Sequence, residues 1–227
     1  MIPRLTDGGP VVCLAPGPSL TTEDCDYVHG CQVPVIAIND AVRLAPWADV
    51  LYSSDKGWWH RHKLGKDFAG LRVKVCNAPW KPTDRSIYPR VEGGIVILKN
   101  SGTEGVDFAP NALRNLQNSG GAAINLAVHL GAGLIVLVGY DMAIRKGRAH
   151  FHDQEPTPVR SPYIHFRRLI GTMAKPLRAA GIEVVNCSRQ TDLECFPCRP
   201  LREVLGADRR HVQVEAAEAG LSLDVHG

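Results

Sequence analysis

No apolar run in the 227 residues approaches the ~18 that a membrane-spanning helix requires; the longest lies around Leu134–Val138. No membrane partner is expected. A basic block is missing too: 26 Lys and Arg against 23 Asp and Glu leave a net charge of +3, dispersed along the chain. Nucleic-acid binding wants a clustered basic face, so it is not indicated. Residues Met1 to Asp7 lack the apolar core of a signal peptide, and the expectation is a soluble, cytoplasmic protein. There is no Gly-Lys-Ser/Thr and no Gly-x-Gly-x-x-Gly, which disfavours a standard nucleotide triphosphatase or NAD dehydrogenase. Cys195 and Cys198 form a Cys-x-x-Cys with no second pair or His pair at zinc-ligand spacing. The cysteine count, 7, is odd. Reduced thiols are expected, with Cys13, Cys76 and Cys187 buried. No repeat or low-complexity linker is present.

What the chain does have is alternation. Val11–Leu14, Val33–Ile38, Val50–Tyr52, Val73–Cys76, Ile95–Leu98, Leu134–Val138 and Ile182–Val185 are short, β-branched and mostly continuous apolar runs. Strands buried on both faces look like this. A helix opens near Thr21-Thr22-Glu23-Asp24, another spans Ser119 to Leu130 before Gly131, and a third runs from about Ser161 to Ala180 before Gly181. Strand and helix in alternation predict an α/β fold with a Rossmann-like, mainly parallel sheet and helices on both faces. One domain is expected over 1–205, with 206–227 as an appendage. Residues 77–94 and 143–160 read as long polar connections, which are usually functional. Trp58-Trp59, with His60 and His62 beside them, read as an amphipathic helix packed by its tryptophans, and His129 as a core histidine.

Ligands of open parallel sheets bind beyond the carboxyl ends of the strands. Four ends carry polar or glycine residues: Pro16-Gly17-Pro18-Ser19, Asn39-Asp40, Ser53-Ser54-Asp55 and Gly139-Tyr140-Asp141. Each alone also fits a turn or a helix cap. Asn118-Ser119-Gly120-Gly121 adds a helix start, where free N–H groups and a partial positive charge suit a phosphate. Loops 15–19, 39–40, 53–55, 118–121 and 139–141 are expected to line one cleft. The prolines would stiffen the first loop so that its N–H groups face a phosphate. Histidines gather late, at His150, His152 and His165. They offer a general acid or base near neutral pH, a metal-binding pair, or solvated loop residues.

In this order the motifs resemble the Rossmann-like bacterial sialyltransferases that use CMP-sialic acid. They are also similar to the archaeal-type 6-hydroxymethylpterin pyrophosphokinases, which share the Gly-Pro-Ser-Leu loop, and to compact phage and prophage proteins. The likeness covers most of residues 8–200. It implies that Gly17, Pro18, Ser19 and Asn39 hold the nucleotide and its phosphate. Asn118-Ser119-Gly120 matches the Thr-Ser-Gly helix start of the sialyltransferases, with the threonine replaced. Asp141 then lies near the ribose or base, and Asp40 and Asp55 join the nucleotide-binding set. Tyr163 and His165 match the leaving-phosphate tyrosine and the general base by distance to the last strand, with His152 as rival. Pro16 stands where those enzymes have an asparagine, which removes a donor.

Three functions follow. The first is a glycosyltransferase taking a sugar from a nucleotide-activated donor, without cofactor or metal, by histidine base catalysis. Its acceptor, small or macromolecular, is not named by the sequence. The second is a pyrophosphokinase-like transfer from ATP with Mg²⁺ on Asp141 and Asp40 or Asp55. The third is a nucleotide-binding protein without turnover. A homo-oligomer is compatible with any of them.

Overall fold

Continuous apolar runs flanked by capped helices produce one sheet in a computed structural model, which describes residues 2–76, 88–153 and 162–206. The strands are β1 (Pro10–Leu14), β2 (Val35–Ile38), β3 (Val50–Tyr52), β4 (Leu71–Val75), β5 (Arg90–Glu92), β6 (Ile95–Asn100), β7 (Ala112–Leu113), β8 (Leu134–Val138) and β9 (Glu183–Asn186). Their order is β5-β6-β4-β3-β2-β1-β8-β9, with β7 on β6. All pairings are parallel except β5 with β6. This is the expected Rossmann-like α/β architecture in a single domain. The expected appendage beyond 206 lies outside the described residues.

The helices are α1 (Thr22–Cys31), α2 (Lys56–Arg61), α3 (Ser119–His129), α4 (Tyr163–Gly171) and α5 (Ala174–Ala179). Residues 201–206 form a further helical turn pair. Side chains start the first three: Thr21, Asp55 and Asn118 accept from Asp24 N, Gly57 N and Gly121 N. The single helix expected over 161–180 is two. Pro176 has no N–H to donate, and its ring would clash with the carbonyl of Thr172, so the helix breaks at 172–173.

Because successive strand residues face opposite ways, β1 feeds two cores. Val11 and Cys13 pack with Ile36, Ile135, Leu137 and the buried side of α3, which adds Ala123, Ile124 and Leu126. Val12 and Leu14 pack on the other face with Cys25 and Val28 of α1 and with Leu201 and Leu205. Fully buried Ile124 and Leu126 each contribute about 1.5–3 kcal/mol. His129 is a core histidine, 2.8 Å from the Ala112 carbonyl, and both tryptophans of α2 are buried. All seven cysteines are free; Cys13 and Cys187 are buried and Cys76 half-buried. Burial pushes the Cys13 and Cys187 thiols up to about 12. No described helix is long and apolar enough to cross a membrane.

Candidate functional site

The chain leaves β1 for β2 on one side, while β8 lies on its other side. Such a switch in direction opens a crevice at the carboxyl ends of the two strands. A cleft of about 100 Å³ sits there, lined by Pro16, Gly17 and Pro18 after β1, Asn39 after β2, and Gly139 to Met142 after β8. Asn118, Ser119 and Gly120 close it from α3, with Ala149, His150 and Tyr163 opposite. Most of the expected loops therefore meet in one place.

Within the cleft the loop after β1 and the start of α3 differ in what they offer. Gly17 N donates to Gly139 O at 3.0 Å. Ser19 donates its N–H and its hydroxyl to the two Asp141 oxygens, at 3.1 and 2.9 Å. Pro16 and Pro18 have no N–H to give. The first loop thus presents no free N–H to a phosphate, contrary to expectation. Its one glycine serves a close crossing with the loop after β8: a Cβ on Gly17 would lie 2.2 Å from both Gly139 O and Asp141 Oδ1. Gly139, at φ +74°, would bring a Cβ to 2.1 Å from Ala15 O. Asp141 is buried, which raises its carboxyl above the usual range against the Ser19 bonds. Each of its two oxygens accepts a bond from Ser19, so Asp141 ties the first loop down at the wall of the cleft that it lines.

The start of α3 is the reverse. Asn118 Oδ1 accepts from Gly121 N at 3.0 Å, and Ala122 N bonds Asn118 O. The N–H groups of Ser119 and Gly120 have no hydrogen-bond partner among the described residues. Ser119 Oγ accepts from Ser54 N at 3.0 Å, leaving its own proton to donate. Beneath this turn Tyr140 donates to Gly120 O at 3.0 Å. Across from it, Asn39 holds a left-handed backbone (φ +49°) that asparagine tolerates. Its Oδ1 is buried without a partner.

Asp40 and Asp55 stay outside the lining. Asp55 caps α2 and pairs with Arg61. Asp40 accepts from Trp58 Nε1 at 3.2 Å, with His62 and His152 nearby at 3.4 and 3.6 Å. His165 lies on α4, 3.0 Å from Gln117 Oε1, and is absent from the lining. His150 faces the cleft instead. Its ring stacks on His152, centroids 5.3 Å apart. Asp153 Oδ2 accepts from Ala149 N and His150 N and lies 3.5 Å from His150 Nδ1. His152 sits between Asp40 and Asp153 Oδ1, the latter 3.7 Å from its Nδ1. Ligand atoms of His150, His152 and Asp153 all lie within 4.8 Å of one another. Two imidazoles and one carboxylate suit Zn²⁺ or Mn²⁺ better than Mg²⁺. Tyr163 donates to Ala149 O at 3.3 Å and so braces the histidine loop.

His150 and Asp153 were legible as a histidine loop but not as a pair; the signal was an acid three residues on, able to fold the turn back. A larger hollow, about 430 Å³, lies between α1 and residues 198–202. Its Arg189 is spent on Asp24 and Glu23, and its Arg202 on Glu23. Compared with protein-family models, curated proteins and solved structures, the chain finds no match.

Proposed function

We propose that the protein is a transferase that takes a glycosyl group from a nucleotide-activated donor, without a metal, in this cleft. The observation that supports the reading most is the pair of unspent N–H groups of Ser119 and Gly120 at the start of α3. A departing nucleotide gathers negative charge on its phosphate. Donors fixed in advance stabilise that charge without reorganisation, and the helix macrodipole adds to them. Asn39 Oδ1 accepts from a ribose hydroxyl or base amino group. His150 takes the proton of the acceptor hydroxyl as its oxygen bonds to the anomeric carbon and the glycosyl–phosphate bond breaks. With Asp153 beside Nδ1, the atom left to act as base is Nε2. His165, placed outside the lining, gives up the role that resemblance implied for it.

The test is a transfer assay across CMP-, UDP- and GDP-sugars. His150→Ala lowers kcat/KM by roughly 10²–10⁴-fold, as removal of a general base does. His165→Ala leaves it near wild type. Full activity in His150→Ala would overturn the base assignment, and no binding of any nucleotide would overturn the reading.

One observation favours a second reading, metal-dependent transfer: the spacing of His150, His152 and Asp153. Activity abolished by chelation, and restored by Zn²⁺ or Mn²⁺ but not in His152→Ala, would select it.

A further inference from the structure

A cleft of about 100 Å³ has room for a phosphate, whereas nucleotide-sized ligands occupy roughly 300–1,000 Å³. A second hollow of about 400 Å³ adjoins it, with Pro18 in the wall of both. Its other lining residues are Ser19, Arg145, Lys146, Arg148 and Gln190. We infer that this annex holds a second anionic group of the substrate, beyond the phosphate at α3. The inference rests on the nucleotide reading of the cleft.

Three observations carry it. First, the basic turn is held in place. Arg145 and Arg148 exchange both backbone hydrogen bonds at 2.9 Å. Arg145 is bonded to Asp192, which Arg167 holds from the other side at 2.9 Å. Second, the turn leads directly into Ala149 and His150 of the cleft, and Phe151 N bonds Pro16 O at 3.1 Å. One segment thus lines both hollows. Third, the charge is unspent. Lys146 and Arg148 have no ion-pair partner among the described residues, while the acids nearby, Asp192 and Asp141, are committed to Arg145 and Arg167 and to Ser19. Arg189 and Arg202 of the larger hollow make the contrast, since those two face carboxylates already. Lysine and arginine converging on a wall with no acid among its described residues select a phosphate or a carboxylate.

Two sources share that chemistry: the second phosphate of a nucleoside diphosphate, and the carboxylate of an acidic sugar on a nucleoside monophosphate. Calorimetric titration of wild type and Lys146→Glu/Arg148→Glu with CMP, CDP, UMP, UDP and CMP-N-acetylneuraminate separates them. Both residues are exposed, so matching melting curves verify folding. Where the second phosphate is the group held, the variant's ratio of diphosphate to monophosphate affinity falls at least about tenfold, as loss of charge-assisted contacts predicts. Where it is the carboxylate, the ratio of CMP-N-acetylneuraminate to CMP falls instead. Equal losses for every ligand, or no loss, would overturn the annex. If wild type binds no nucleotide, the nucleotide reading fails by itself. Inorganic tripolyphosphate then decides the annex: salt-sensitive binding lost in the variant supports it, and no binding overturns it.

Discussion

Two loops at the mouth of the sheet carry glycine beside a small polar residue, and they behave in opposite ways. Pro16–Ser19 satisfies itself. Gly17 bonds Gly139, Ser19 bonds Asp141, and two prolines remove the remaining donors. Asn118–Gly120 spends its side-chain cap on Gly121 and leaves two N–H groups open to the cleft. Glycine in the first loop is there because two backbones cross within reach of a Cβ. In the second it starts a helix whose first amides no carbonyl of its own can reach. A glycine signature marks close backbone approach, and unspent donors mark a site.

The widest split between the loops should appear in stability. Gly17→Ala places a methyl 2.2 Å from Gly139 O and Asp141 Oδ1. That overpacking costs about 3 kcal/mol or more, a melting point lower by roughly 6–12 °C for a chain of this size. A melting curve unchanged from wild type would mean that the crossing is loose. Ser119→Ala should do the reverse, with stability nearly kept and nucleotide affinity down roughly tenfold, since one donor to a charged oxygen is lost. Isothermal titration reads it; a stability loss without an affinity loss would make Ser119 only a tie to Ser54. The smallest effect concerns the far end of α3. Burial holds the His129 imidazole below its ordinary value, against the Ala112 carbonyl and Asp107. As pH falls below about 6.5, the unfolded chain takes up a proton that the folded chain refuses, so stability declines. His129→Gln should flatten that decline by up to about 1.4 kcal/mol per pH unit. Denaturant melts at pH 5 to 7 check it.

The central strands were legible because burial on both faces writes them as unbroken apolar runs, Val11–Leu14 and Leu134–Val138 above all. β5 was not, because Arg-Val-Glu is an edge strand with charge where a core run would be apolar. β7 was too short to show a period. The cleft was legible as a set of strand ends, since parallel topology alone gathers them. Which ends stay open was not, for that depends on whether Gly17 meets Gly139 or a ligand. Which histidine would line the cleft was hidden for a similar reason. His165 was placed by counting back from the last strand, whereas the position of His150 follows from Asp153 folding its own turn.

Backbone amide chemical shifts in a nucleotide titration test the contrast most directly. With any nucleotide found to bind, the Ser119 and Gly120 amide protons should move downfield on saturation. Those of Gly17 and Ser19 should stay near their free positions and exchange slowly with solvent before and after. Movement at Gly17 and Ser19 with Ser119 and Gly120 unmoved would contradict the account, and return the phosphate to the proline-flanked loop.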